Sequence, residues 1–326
     1  MTTSKEDICA AAKILKAGGI VAFPTETVYG LGADALNACA VQKIYDAKGR
    51  PGDNPVIVHI AKPADIRLLA HEPDELTGKL IQKFWPGPLT LILKKKREVP
   101  AVTTGGLETV AVRMPDDKTA LSLIEKAGLP IAAPSANISG KPSPTKAAHV
   151  IEDMTGKADA IIAGGDCRVG IESTVLDVTG EIPVILRPGI ITEEDIKAVT
   201  GGMIDIDPSL FMAEDGDITP RSPGMKYRHY APDAEMIIIE GRRDKVEIEI
   251  ERLRKLNEAQ GKPVGVILFE EKAFEEAARE FFAKLRKFDS EGVGLILAGA
   301  MSEDDGVGFA VMNRMLKSAG HNIVKV

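Results

Sequence analysis

Short apolar runs that alternate with helical periodicity set the tightest limit on what this chain can fold into. GIVAFPT (19–25), VIVHI (56–60), LTLILKK (89–95), TVAVRMP (109–115), LPIAAPS (129–135), DAIIAGG (159–165), STVLDVT (173–179) and PVILRPG (183–189) each have the length and apolar character of a buried strand. Helical patterns fall between and around them. The first begins behind Ser4, with Asp7 three residues on as in a capping box, keeps Ile8, Ala11, Ala12 and Leu15 on one face, and stops at Gly18 and Gly19. Others cover NACAVQKIYDAKG, residues 64–84, the stretch from about Thr145, and TEEDIKAVT. This interleaving predicts an α/β domain whose strands are often near enough in sequence for a mixed rather than purely parallel sheet.

The periodicity fades after Asp205. Five carboxylates lie between Asp205 and Asp217, and then Arg221, Lys226 and Arg228 follow without an acid until Asp233. Order resumes with AEMIIIEG and KPVGVILFEE, which read as strands around a charged helix. A second helix over EEAAREFFAKLRKF, a strand GVGLILAG and a last helix FAVMNRMLKSAG follow. The pattern is a smaller, Rossmann-like α/β domain. The predicted division is therefore 1–205, a connecting segment 206–232, and 233–326.

At 326 residues, 44% of them hydrophobic, the chain has material for two cores. A net charge of -7 opposes non-specific nucleic-acid or lipid binding, and residues 1–200 hold 23 Lys/Arg against 25 Asp/Glu. Cys9, Cys39 and Cys167 are odd in number and lie outside CxxC spacing, which supports neither a disulfide framework nor a structural zinc site. No run of eighteen apolar residues is present, and the N-terminus reads as an amphipathic helix rather than a signal sequence. The expectation is a soluble, cytoplasmic protein with no membrane association and no protein-bound metal.

Chemistry concentrates in three loops, PTETVYGLG (24–32), KGRPGDNPVIVHI (48–60) and APSANISGKPSPT (133–145). Each sets small hydroxyl, amide or glycine residues beside a predicted strand, where open α/β sheets bind ligands at strand ends. No GxxxxGK[ST] loop is present, so bound phosphates must be met by side chains. Lys48 and Arg50 suit that task. Arg113 and Arg187 lie in or at the end of apolar strands, where a cation needs either an acid such as Glu26 or Asp177 or an anionic ligand. His59 closes a strand and reads equally as a satisfied core histidine or a ligand contact. Ser135 and Ser173 lack GxSxG or SxxK context, which makes them hydrogen-bond donors rather than nucleophiles. The KKKR run at 94–97 is expected to mark a solvated edge strand, and the GxG of Gly306 and Gly308 a packing turn.

PTETVYGLG, KGRP with NPVIVHI, SANISGKPSPT, the STV at 173–175 and LRPG at 186–189 closely resemble the YrdC-type domain of threonylcarbamoyl-adenylate synthases, over about residues 5–205. SPGMKYRHYAP and the trailing domain with GVGFAVMNRMLKSA resemble the longer two-domain members of that family. The resemblance implies a YrdC-like twisted, mixed open sheet followed by the smaller Rossmann-like domain. It implies a nucleotidyltransferase that joins L-threonine, bicarbonate and ATP, with Mg2+, into threonylcarbamoyl-AMP and pyrophosphate. A separate transferase complex would then modify tRNA, with at most a weak direct tRNA contact.

Carried onto this sequence, the resemblance makes Lys48 and Arg50 catalytic. It places Thr25, His59, Arg113, Ser173 and the backbone of Ala133 on L-threonine. Lys48, Arg50, Asn54, Thr109, Ser135, Asn137, Ser143, Arg187 and Tyr230 would surround the nucleotide. The connecting segment would fold back as a lid, with Tyr230 and Tyr227 near the nucleotide and Arg221, Lys226 or Arg228 facing phosphates. The acceptor of the threonine ammonium proton stays open among His59, bicarbonate and water. Two other functions are weighed: an RNA-binding module, and a hydrolase of nucleotides or acyl-adenylates on the same fold.

Overall fold

The computed structural model describes residues 1–211, 221–222 and 229–326. Ten strands make the first sheet: β1 Val21–Phe23, β2 Gly30–Asp34, β3 Ile57–His59, β4 Leu89–Lys94, β5 Thr109–Arg113, β6 Ile131–Ala132, β7 Ala160–Ile161, β8 Thr174–Asp177, β9 Val184–Arg187 and β10 Asp205–Ile206. Their order is β10-β9-β8-β4-β5-β3-β6-β2-β1-β7, and the pairing is mixed: β3/β5 and β4/β8 run parallel, while β4/β5, β3/β6 and β8/β9 run antiparallel.

Seven helices flank this sheet: α1 Lys5–Lys16, α2 Ala38–Lys48, α3 Glu75–Phe84, α4 Ala101–Thr104, α5 Lys118–Ala127, α6 Ala147–Met154 and α7 Glu193–Thr200. On one face, Ile8, Ala11 and Leu15 of α1 and Leu123 and Ile124 of α5 bury Val21, Phe23 and Ile131. On the other, Val41, Ile44 and Tyr45 of α2 and Leu80 of α3 close over Leu31, Val58, Leu91 and Val112. Burial of such apolar surface, about 25 cal/mol per Å², supplies the main drive for both layers.

The second sheet contains β11 Glu235–Glu240, β12 Val264–Ile267, β13 Leu295–Gly299 and β14 Ile323–Lys325, all parallel in the order β12-β13-β11-β14. Three helices cover it: α8 Arg243–Glu258 on one face, α9 Phe274–Ser290 and α10 Gly306–Ala319 on the other. The core beneath α9 and α10 is continuous with the first domain, because Val28, Ile171 and Tyr230 join Phe281, Phe282 and Met315 in one buried cluster. Two buried ion pairs cross the same junction, Arg286 to Asp153 at 2.6 Å and Arg314 to Glu172 at 3.1 Å.

Several expectations need correction. The capping box at α1 is half formed: Ser4 Oγ accepts from Asp7 N–H, but the Asp7 carboxylate takes Thr2 N–H and Oγ1–H instead of returning to Ser4. The KKKR run does not mark an edge. β4 is an interior strand between β8 and β5, and Lys95 and Lys96 leave its end to bond Thr104 Oγ1 and the Arg67 carbonyl. Strand β2 lies inside what reads as the loop PTETVYGLG, because its glycines hide the strand signal. A Cβ on Gly32 would meet Phe23 Cε1 and Ile131 Cγ2, each at 2.7 Å, so the pattern records close packing rather than a turn. The two-residue β10 and the final β14 are likewise absent from the apolar pattern. Gly306 and Gly308 are packing positions, as expected. A Cβ would strike the Thr192 side chain at 2.6 Å and the Ser302 carbonyl at 2.1 Å.

Candidate active site

Ile57 and His59, two apart on β3, point to the same side of the sheet, and the parallel register sets Arg113 of β5 beside His59. A cleft of about 730 Å3, its open mouth included, lies over them. It runs along a sheet face instead of the strand ends alone, because the mixed sheet gathers no common set of carboxyl ends. The β1–β2 loop brings Thr25 and Thr27. The last turn of α2 brings Lys48, and Arg50 follows Gly49, whose left-handed conformation ends the helix. The loop after β6 brings Ala133, Ser135, Asn137 and Ser143. The hairpin of β8 and β9 brings Ser173 and Arg187 together, since Val175 faces Arg187 across it.

The cations are held by the protein in distinct ways. Lys48 is buried and donates through Nζ to the carbonyls of Ser135 and Asn137. Arg50 donates to the carbonyls of Asn54 and Pro55 at 3.3 and 3.0 Å. Arg187 donates to the Ser173 carbonyl at 3.0 Å and to Ser173 Oγ at 3.2 Å, and that hydroxyl shares a 2.7 Å hydrogen bond with Thr90.

Arg113 answers a question the sequence leaves open. Its acid is Glu26, not Asp177, at 2.6 Å with both side chains buried. The angle of that contact is not a hydrogen bond, so Arg113 Nη2 and both Glu26 oxygens have no hydrogen-bond partner. Nη1 donates to Thr27 Oγ1 at 2.9 Å and Nε to the Gly87 carbonyl at 3.2 Å. The guanidinium is thus fixed in place, with its Nη2 arm ion-paired to Glu26.

Ser135 and Ser143, both expected beside the nucleotide, point their protons elsewhere. Ser135 Oγ donates to Asn137 Oδ1 and Ser143 Oγ to Glu172 Oε1, each at 2.5 Å. They therefore offer lone pairs to the cleft. Glu172 is the one carboxylate among the described lining residues, against Lys48, Arg50, Arg113, Lys141 and Arg187. Burial pushes Lys48 well below the ordinary amine value and Arg187 down to about 10. Burial, then Arg113, lowers His59 to about 3, and burial lowers His229 well below its usual range, so both imidazoles are neutral. Burial alone would raise Glu172, but Arg314, Arg187 and the Ser143 hydrogen bond hold it below the usual carboxylate value. The result is a desolvated, cation-rich cleft matched to an anionic ligand.

Most of the expected site residues meet here: Thr25, Lys48, Arg50, His59, Arg113, Ala133, Ser135, Asn137, Ser143, Ser173, Arg187 and Tyr230 all line the cleft. Asn54 and Thr109 do not. Asn54 is buried behind Arg50, where its carbonyl accepts from Arg50 and Tyr45. Thr109 begins β5, the end opposite Arg113, and pairs with Lys94. Arg221 turns to Asp207 and Asp177 at 3.2 and 3.7 Å, which are its charge partners in place of a phosphate. Tyr227, Lys226 and Arg228 lie outside the described residues. Tyr230 is placed at a positive φ of 63°, with its ring 5.0 Å from that of Phe282, and the Ala231 N–H bonds the Gly140 carbonyl at 2.8 Å. Thr27, His229, Lys141 and Glu172 also line the cleft and went unread, although Glu172 directly precedes the STV signal.

These residues do not assemble a metal site. Among the described residues no group of three His, Cys, Asp or Glu could hold an ion, and both oxygens of Glu172 are engaged by Ser143 and Arg314.

A mixed α/β sheet carrying a cation-rich cleft, bordered by His229 and Tyr230 of the connecting segment and followed by a second α/β domain, defines an enzyme architecture suited to an anionic ligand. Comparison with known proteins makes that particular. A family model described as "Telomere recombination" matches residues 13–189, and one described as "Threonylcarbamoyl-AMP synthase, C-terminal domain" matches 191–320. The threonylcarbamoyl-AMP synthase of Pyrococcus abyssi is 52% identical over 97% of this chain and 95% of its own. That of Bacillus subtilis is 47% identical over 100% and 96%. The crystal structure of P. abyssi Sua5 complexed with L-threonine superposes with a TM-score of 0.94 at 51% identity, over 99% of this chain and 97% of that one. The chain belongs to the threonylcarbamoyl-AMP synthase family.

Proposed function

We propose that this enzyme joins L-threonine, bicarbonate and ATP into threonylcarbamoyl-AMP and pyrophosphate, the product serving tRNA threonylcarbamoyladenosine modification. The observation that carries this reading is the near-complete superposition on a relative solved with L-threonine, together with the cation-rich cleft of this chain. In the reaction the threonine amine, once deprotonated, bonds to the carbon of bicarbonate with loss of water. A carbamate oxygen then bonds to the α-phosphorus as the bond to the β-phosphate bridge breaks and pyrophosphate leaves.

Arg113, whose Nη2 would be shared between Glu26 and the ligand, suits the threonine carboxylate, with Thr25, Ser173 and the Ala133 backbone beside it. The Nδ1 of His59, buried without a partner, suits a hydrogen bond to the same substrate. Arg50, Arg187 and Lys48 set a positive field for the triphosphate, and Ser135, Asn137, Ser143 and Tyr230 complete the nucleotide side. Positioning and fixed charge supply the acceleration, as elsewhere at phosphorus. Magnesium would enter as part of the MgATP substrate. A separate tRNA-modifying transferase, in the cytoplasm, consumes the adenylate. No helix among the described residues is long and apolar enough to cross a membrane.

The test is incubation with ATP, labelled bicarbonate and threonine. A labelled adenylate with stoichiometric pyrophosphate is expected. ATP consumption that persists when threonine is omitted would replace the synthase with a hydrolase.

A further inference from the structure

The guanidinium of Arg314 on α10 is fully buried at the junction of the two domains, and besides long contacts to Ala310 and Asn313 of its own helix it bonds residues flanking the cleft. Nε donates to Glu172 Oε2 at 3.1 Å, Nη2 to the Glu172 carbonyl at 3.3 Å, and Nη1 to the Pro188 carbonyl at 2.6 Å. Glu172 precedes Ser173, and Pro188 follows Arg187, so one side chain from the second domain grips both strands of the β8–β9 hairpin at its site end. The other oxygen of Glu172 takes the proton of Ser143, itself fully buried.

We propose that Arg314 is a positioning residue of the active site: it fixes Glu172, and through Glu172 orients Ser143 and the β8–β9 hairpin for nucleotide binding. This rests on the synthase reading above. A buried ion pair is poor adhesive, since desolvation offsets much of its attraction, and a close-packed apolar contact would dock the domains as well. What an arginine fork adds is direction: three donors at fixed angles hold one carboxylate rotamer and two main-chain carbonyls. An ionised Glu172 held this way keeps Ser143 as an acceptor toward the cleft, matched to an N–H or O–H of the nucleotide. Released from Arg314, the carboxylate has Arg187 as its remaining cation, and turning there would set its charge against the phosphates.

The experiment is steady-state pyrophosphate release by the full chain, with ATP and threonine varied in turn, for Arg314→Lys, Glu172→Gln and the charge-neutral double variant Arg314→Met/Glu172→Gln. Arg314→Lys and Glu172→Gln are expected to raise KM for ATP about tenfold and leave KM for threonine within about threefold. The double variant should be no worse than the poorer single one, because the two residues act as a unit. A purely structural clasp would lower the folded fraction and hence apparent kcat while leaving both KM values at wild type, and that result overturns the proposal. Should Arg314→Lys not fold, the neutral double variant carries the same comparison. Absence of pyrophosphate from the wild-type chain would instead overturn the synthase reading. ATP titration by calorimetry then decides the positioning role, which is lost if wild type and Arg314→Lys bind ATP equally.

Discussion

Lys48 Nζ, at the last turn of α2, donates to the main-chain carbonyls of both Ser135 and Asn137, so the cation that most suggests phosphate binding also ties down the loop beyond β6. Its neighbour Arg50 is half exposed and donates to the carbonyls of Asn54 and Pro55 in its own loop. The two residues look equivalent in KGRP and differ in the structure.

That difference makes Lys48→Met and Arg50→Met separable. Loss of the Lys48 amine leaves two carbonyls short of a donor, at about 1–3 kcal/mol for each that stays buried and unsatisfied. Lys48→Met should therefore lose pyrophosphate release and also unfold at distinctly lower urea concentration. Arg50→Met should lose turnover with its unfolding midpoint within about 0.5 kcal/mol of wild type. Paired turnover and urea titrations check this; full activity in Arg50→Met would remove Arg50 from the catalytic machinery.

Arg113 and Glu26 give a thermodynamic cycle. Arg113→Met strands the Glu26 carboxylate in the interior, at a cost of about 3–5 kcal/mol. Adding Glu26→Gln should recover most of that stability, because no buried charge then lacks a partner. Threonine binding should not return, since the guanidinium proposed to meet its carboxylate is gone. Denaturation gives the coupling energy, and calorimetric titration with threonine gives the binding. Wild-type threonine affinity in the double variant would exclude Arg113 from the substrate.

The sequence made the site more legible than the architecture around it. Hydroxyl, amide and cationic residues at strand borders are chemical signals, and Thr25, Lys48, Arg50, His59, Arg113, Ser135, Asn137, Ser173 and Arg187 do converge on one cleft. Strands β2 and β10 were hidden because close packing at Gly32 and a two-residue pairing leave no apolar alternation to read. Arg314 was hidden for another reason. Its helix reads as an ordinary amphipathic element, and nothing local shows that one of its residues reaches the acid beside a site far away in sequence.

His59 sets a pH dependence of stability. Its folded pKa of about 3 lies below the ordinary 6.5 because burial first, and Arg113 next, disfavour the charged ring. Below pH 6.5 the unfolded chain takes a proton that the folded chain refuses. The contribution is therefore complete above pH 6.5 and is lost as pH falls toward 3. His149, lowered to about 4 chiefly by burial, acts in the same direction. Between pH 7 and 5, His59→Gln should lose about 2 kcal/mol less stability than wild type. The same depressed value makes neutral His59 a poor acceptor for an ammonium proton. The pH profile of kcat/KM in His59→Gln should keep the wild-type shape, and disappearance of its acid limb would restore His59 as the base.

Gly170 tests whether the second domain must sit where it does. It has φ of +84°, and an added Cβ would lie 2.3 Å from Arg279 Cα and 2.5 Å from the Ala278 carbonyl of α9. Both obstacles are backbone, so no side-chain rotation relieves them, and the left-handed conformation adds about 1 kcal/mol of its own. Gly170→Ala must push α9 away from the loop that leads into Glu172 and Ser173. The expected outcome is a weakened junction, seen as faster proteolytic separation of the two domains, together with a fall in pyrophosphate release of about tenfold or more. The first domain's own core shares none of these contacts and should melt nearly as before. Gly170→Ala with unchanged turnover would mean that the cleft is set by the first domain alone.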